Sequence, residues 1–240
     1  MKLVDTIKLE KAQNDKIIFK IEDFLREAVS IYSKNWIQFS LYTLTAMLLL
    51  VISSVTVVGP YIIYFPLVMG FCNVAEKIEN EEDFKFKDFF VGFNKWTRFL
   101  GLTVLIMVVS IGILLPYFFT ILNLESLGLM DTSVGLYSLV FLPIYIALMF
   151  VFITGIFMAP YILYFNDKIS FSEGLRLSYL IAKKNFLPLL IFILLISVIF
   201  QFGFYFCFVG AFVTIPLSYI MAYLFVKDLL LKSDRELDLV

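Results

Sequence analysis

The chain contains no histidine and only two cysteines, Cys72 and Cys207, among its 240 residues. Without histidine, Ser-His and Cys-His nucleophile pairs and histidine-ligated zinc sites are excluded. The cysteines have neither metal-ligand spacing nor a CxxC context. Charge is also scarce: 16% of the residues are Asp, Glu, Lys or Arg, where a soluble domain carries about a quarter. The formal net charge of −1 leaves no concentrated basic surface, which argues against a nucleic-acid partner. Neither a Walker-type loop nor a dinucleotide fingerprint is present. No long apolar run carries a charge in its middle. That removes the buried ionisable groups on which intramembrane aspartyl catalysis, proton-coupled transport and voltage sensing depend. The expectation is a protein that is not an enzyme, with no catalytic, cofactor-binding or metal-ligating residue.

What the chain does have is apolar surface. Hydrophobic residues make up 61% of it and the mean hydropathy is +0.94. A soluble fold has to cover itself with polar groups and cannot absorb that excess, whereas lipid can. Apolar residues form blocks at roughly 37–75, 99–122 and 136–226. A spanning helix needs about 20 of them, so the first block is two helices, broken at Val57-Val58-Gly59-Pro60 by a proline and a glycine. The last block is interrupted by charges at 167–184 and divides again between Phe206 and Gly210. The fold class predicted is an all-α membrane protein with six transmembrane helices at roughly 37–57, 60–77, 99–121, 138–165, 186–206 and 208–227. Residues 1–20 read as a cytoplasmic arm, 21–232 as a single membrane domain and 233–240 as a cytoplasmic tail. No cleavable signal peptide is expected, because the first apolar run follows a mixed-charge stretch.

Orientation follows from the cations. The segments before helix 1, between 2 and 3, between 4 and 5, and after 6 carry seven, five, four and three Lys and Arg, which is all nineteen. The loop 122–137 on the other side carries only Glu125 and Asp131. Under the positive-inside rule both termini are cytoplasmic.

Each odd-numbered helix is preceded by an amphipathic stretch. Phe24, Leu25, Ala28, Ile31 and Tyr32 oppose Glu22, Asp23, Arg26, Glu27 and Lys34; Phe86, Phe89, Phe90, Phe93 and Trp96 oppose Lys87, Asp88, Asn94 and Lys95; Phe171, Leu175, Tyr179 and Ala182 oppose Glu173, Arg176 and Lys183. This spacing suits helices lying in the cytoplasmic interface before helices 1, 3 and 5. The stretches end in Lys34-Asn35-Trp36, Asn94-Lys95-Trp96 and Lys184-Asn185-Phe186. Lysine snorkels to phosphates and tryptophan prefers the headgroup layer. Lys34, Trp36, Lys95, Trp96, Lys183 and Lys184 are therefore the expected interfacial anchors, and anionic headgroups of the bilayer the expected partner. Three repeated units of in-plane helix plus hairpin, or a composition that any membrane elbow favours, both account for the pattern.

Among polar residues inside the spans, Asn73 and Gln201 stand out, because an amide in hydrocarbon wants a partner. They mark either a polar spot in a substrate path or interhelical hydrogen bonds. All seven prolines lie in or at the ends of apolar spans, as in the broken helices of some transporters and as in ordinary membrane helices. Glu76, Asp88, Asp167, Glu173 and Asp228 sit at the cytoplasmic face, where pairing with Lys or Arg or helix capping accounts for them. Cys72 and Cys207 fall near opposite faces, beyond the roughly 7 Å that a disulfide allows, and are expected as free thiols.

The chain resembles a broad group of uncharacterised prokaryotic six-helix membrane proteins, among them YciC-like proteins and the membrane domain fused to some glycerophosphodiester phosphodiesterases. The resemblance rests on Leu67-Val68-Met69-Gly70-Phe71, Phe89-Phe90-Val91-Gly92-Phe93, Ala159-Pro160-Tyr161-Ile162-Leu163, the run from Leu175 through Ser178 to Lys184, and Gly210 through Pro216 to Tyr223. It covers about 22–230. It implies a fold and a place in the cytoplasmic membrane of a prokaryote, but no reaction, since no phosphodiesterase domain accompanies it. Three functions remain open. The first is a non-enzymatic module that organises lipid or a membrane-protein partner, including a second copy, from the cytoplasmic interface. The second is a transporter or lipid-translocating protein for an apolar or amphipathic molecule. The third is a cytoplasmic-face enzyme built on clustered carboxylates.

Overall fold

A computed structural model describes residues 21–126, 133–205 and 209–235. The arm 1–20, most of the loop carrying Asp131, Cys207 and the last five residues lie outside it. The described chain is helical throughout, with no strand among the described residues. Its elements are α1 (Ile21–Lys34), α2 (Trp36–Ser53), α3 (Gly59–Glu79), a 3-10 segment (Phe86–Lys95), α4 (Trp96–Ser126), α5 (Ser133–Ile156), α6 (Ala159–Phe165), α7 (Phe171–Lys184), α8 (Phe186–Tyr205) and α9 (Ala211–Arg235).

Six stretches are long and apolar enough to cross a membrane: Trp36–Ser53, Gly59–Glu79, Phe86–Asn123, Val140–Phe165, Phe186–Tyr205 and Ala211–Leu229. The all-α membrane fold with six such helices is thus the observed architecture. Many large apolar side chains face outward, among them Leu48, Val51, Ile52, Val108, Ile111, Leu115 and Val198. A soluble monomer seldom exposes so much apolar surface.

Local chemistry sets the boundaries. Pro60 falls in the first turn of α3, where its missing N–H removes a donor that has no intrahelical partner. The fourth predicted span is broken: α5 stops at Ile156 and α6 restarts at Ala159, with Pro160 in its first turn. At the start of α7, Ser170 Oγ accepts from the Glu173 N–H at 3.4 Å while Ser170 N–H donates to Glu173 Oε2 at 2.9 Å, a reciprocal cap. Helix α9 runs on to Arg235, past the expected domain boundary at Lys232.

All three amphipathic stretches are helical, but their buried stripes are spent on protein. On α1, Ala28, Ile31 and Tyr32 are buried. The Phe24 ring packs edge-on to Phe225 at 5.8 Å, and Tyr32 Oη donates to the Phe212 carbonyl at 3.2 Å. Those two points on α9 are about 20 Å apart by the helical rise, so α1 runs along α9 rather than across it. The second stretch is a 3-10 segment whose Phe89 and Gly92 are buried. On α7 the buried stripe is Gly174, Ser178, Ile181 and Ala182, displaced from the expected face, and Phe171 and Tyr179 stay exposed.

An aromatic core gathers where the 3-10 segment crosses α2 and α3. Tyr42 stacks on Phe89 at 4.3 Å and meets Phe71 edge-on at 4.7 Å, while Phe39 meets Phe89 at 5.5 Å. The crossing is close because Gly70 faces the Phe89 carbonyl and Gly92 faces the Pro66 carbonyl; a Cβ on either glycine would overlap those atoms. Gly70 of α3 and Gly92 of the 3-10 segment thus each make room for the other element's backbone at one crossing.

Candidate intramembrane binding cavity

A cavity of about 530 Å³ lies between α3, α4, α5, α6, α8 and α9. Sites for small molecules commonly measure about 300–1,000 Å³. Its wall is chiefly Phe65, Val68, Leu102, Ile106, Met149 and Phe152 with further aliphatic and aromatic side chains, and no charged residue lines it among the described residues. The polar groups in the wall are hydroxyls and one amide: Tyr64, Tyr161, Tyr219, Ser110, Ser197, Ser218 and Gln201. A second cavity, about 300 Å³, shares Tyr64, Phe65 and Ile106 with the first.

Most of the hydroxyls are held from within. Tyr219 and Tyr64 share a hydrogen bond of 3.3 Å between their Oη atoms. Ser218 Oγ donates to the Thr214 carbonyl at 2.8 Å and Ser197 Oγ to the Ile193 carbonyl at 2.7 Å, the back-bonding that lets serine sit in an apolar helix. Gln201 differs: its amide makes no hydrogen bond to any described residue. Gln201, Ser197 and Ile153 line the cavity and are at the same time exposed on the bundle's flank. Tyr64 of α3 also lines it and is exposed, so the cavity reaches the surface of the bundle beside α3 as well as beside α5 and α8.

The chain matches no family model, no curated protein and no solved structure.

The two amides singled out by sequence are not brought together. Asn73 lies outside the cavity lining; its Nδ2 donates to the Asp88 carbonyl at 2.9 Å, and its Oδ1 accepts from Tyr164 Oη at 3.4 Å. It ties α3 to the 3-10 segment and to α6. Gln201 is at the cavity mouth. Of the expected anchors, Lys34, Trp36, Trp96, Lys183 and Lys184 are exposed. Lys95 is turned inward: Nζ donates to the Tyr164 carbonyl at 2.7 Å and pairs with Asp167 at 2.9 Å.

Lys95 belongs to a latch that hydropathy could not reveal. Arg98, in the first turn of α4, donates to the carbonyls of Leu163 at 2.7 Å and Asn166 at 3.0 Å, and also to that of Ile169. Its guanidinium pairs with Asp167 at 3.2 Å. One fork of donors thus meets the Leu163 carbonyl in the last turn of α6 and the Asn166 and Ile169 carbonyls just beyond it. The hydrogen bond from Lys95, and then the charges of Lys95 and Arg98, hold the Asp167 carboxyl below the usual aspartate value. At the same end of the bundle, Lys227 of α9 pairs with Glu79 of α3, whose other oxygen accepts from Tyr223 Oη at 3.0 Å. Asp88 pairs with Lys77 at 2.9 Å. Asp88, Asp167 and Glu173 are therefore engaged in pairing and capping rather than converging on a site.

The sequence signal for the cavity was weak. Tyr64, Tyr161 and Tyr219 count as ordinary members of apolar runs, and their convergence depends on how three helices pack.

Proposed function

We propose that this chain is a non-enzymatic lipid-handling protein that takes an apolar or amphipathic molecule of the bilayer into its intramembrane cavity. The observation that carries the reading is the cavity of about 530 Å³, lined by no charged residue among those described and reaching the bundle's surface at Ile153, Ser197 and Gln201. A charged or strongly hydrated solute would meet nothing there to replace its water. The acyl chain of a lipid already present in the membrane loses no hydration on moving in. The protein sits in the cytoplasmic membrane of a prokaryote with both termini inside, in keeping with the distribution of its cations. Membership of the YciC-like group belongs to the same proposal.

Organisation of lipid or a partner from the cytoplasmic interface is the second reading. It draws on the exposed Trp36, Trp96, Lys183 and Lys184. It is weakened because the apolar stripe of α1 and much of that of the 3-10 segment already pack on protein.

Native mass spectrometry of the detergent-extracted protein tests the first reading. Wild type should retain lipid that the double substitution Ser110→Phe and Ser197→Phe, which fills the cavity, releases. Identical lipid adducts on both proteins would remove the basis for a cavity function and favour the second reading.

A further inference from the structure

Resting on that reading, we infer that the cavity selects an uncharged lipid bearing a hydroxyl or carbonyl group, and that the Gln201 amide receives that group at the mouth.

Three observations converge on this class. Among the described residues the lining offers no cation to a phosphate or carboxylate and no anion to an amine. Placing either charge in a wall of hydrocarbon without a counter-ion is strongly unfavourable, so ordinary phospholipid headgroups are rejected from the interior. The lining nevertheless offers hydrogen-bonding capacity, which a pure hydrocarbon would leave unused. Gln201 both donates and accepts, makes no bond within the described protein, and lies on α8 four residues before its last residue, Tyr205. An amide at that depth is tolerated most easily when a ligand's polar group meets it. Ser197 lies one turn earlier on the same flank and also lines the mouth. Its hydroxyl proton is committed to the Ile193 carbonyl, so its oxygen is left to accept. A hydroxyl on the ligand fits this pair: it donates to one oxygen and accepts from the Gln201 amide. A ligand carbonyl satisfies the amide N–H alone. The apolar remainder then runs past Phe200 and Ile196 toward Tyr161 and Ala222, at the inner part of the same cavity.

The test is a competition. Purified protein is placed in phosphatidylcholine nanodiscs that contain equal amounts of monooleoylglycerol and oleoyl lysophosphatidic acid. These share chain and glycerol and differ by a phosphate. Native mass spectrometry then reads which one stays bound. Wild type should prefer monooleoylglycerol by about tenfold or more. Gln201→Leu, whose exposed site does not threaten folding, should lower that retention roughly fivefold, the worth of one good hydrogen bond. Gln201→Lys should shift the preference toward the phosphate. Equal or better retention of lysophosphatidic acid on wild type overturns the inference but leaves the cavity as a lipid site. Unchanged retention in Gln201→Leu overturns the role of the amide. If neither lipid is retained better than by the cavity-filled double substitution, the lipid-handling reading falls as well.

Discussion

Replacing Gly70 by alanine inserts one methyl group at the crossing of α3 with the 3-10 segment, and the outcome follows from the packing. The added Cβ would lie 2.9 Å from the Phe89 carbonyl carbon and overlap its oxygen and the Tyr42 hydroxyl. Both obstacles are fixed: one is backbone, and the other donates to the Leu67 carbonyl at 2.8 Å. The segment has to move away, and Asn73 then loses its 2.9 Å bond to the Asp88 carbonyl. Overpacking a tight site costs about 1–3 kcal/mol, and each lost hydrogen bond about 1 kcal/mol. Exchanging glycine for alanine inside a helix returns roughly 1 kcal/mol. The net loss expected is about 1–3 kcal/mol, or a fall in Tm of roughly 2–12 °C for a chain of this size. Gly112 is the control, since nothing lies within 4 Å of its absent Cβ; Gly112→Ala should leave Tm unchanged or raise it slightly. Thermal unfolding of the detergent-solubilised protein, followed by circular dichroism, reads both. If Gly70→Ala melts within about 2 °C of Gly112→Ala, the close crossing does not exist as described.

Other substitutions probe the latch and the cytoplasmic charges. Arg98→Ala should cost about 3 kcal/mol or more, because it strands the carbonyls at and just beyond the end of α6, and Arg98→Lys should recover little of that since a lysine cannot span them; denaturant titration separates the two. Asp167→Asn should lower stability modestly at neutral pH, where the ionised carboxylate pairs with Lys95 and Arg98. Because the Asp167 carboxyl sits below its ordinary value in the folded state, wild type should lose stability relative to Asp167→Asn only as pH drops below about 4. Glu27 works in the opposite direction: burial, and then the negative charge of Glu79, raises its carboxyl above the ordinary value. Glu27→Gln should therefore stabilise above the normal carboxylate range and have no effect at pH values below about 4, as melts across pH will show. Cys72 is fully buried and should resist a soluble maleimide until the protein unfolds, whichever face the reagent comes from; rapid labelling of the folded protein would place α3 elsewhere.

The six spans were legible because insertion sums hydropathy over a whole helix, so a few serines or a proline do not alter the total. Interruptions inside a span were not. The run Phe157-Met158-Ala159-Pro160 stays apolar while the backbone breaks between α5 and α6, and hydropathy says nothing of backbone hydrogen bonds. Phenylalanines of the second amphipathic stretch showed that a face would be buried, but not against what. Gly92, opposite Pro66, is the residue that turns that face onto α3. Asn73 and Gln201 stood out for one reason, an amide among apolar neighbours, and end in different places. A backbone carbonyl accepts from Asn73, whereas Gln201 makes no hydrogen bond among the described residues. That distinction is tertiary, and no spacing in the chain encodes it.

Helix α3 connects the crossing to the cavity. Pro66, Gly70 and Asn73 fall on one face of it at helical spacing and meet the 3-10 segment. Tyr64 and Val68 fall on the opposite face and line the cavity. Small side chains on the first face let the segment clamp the helix, which compensates for the hydrogen bond that Pro66 removes from its interior. Large side chains on the second face shape the ligand space and carry the Tyr64–Tyr219 bond. A wall held from behind in this way cannot shift without changing the cavity in front. Gly70→Ala should therefore lower lipid retention as well as Tm, even though residue 70 does not touch the cavity, whereas Gly112→Ala should alter neither. If Gly70→Ala lost stability but kept full lipid retention, the clamp would be a matter of folding alone and the cavity wall would owe its shape to α8 and α9.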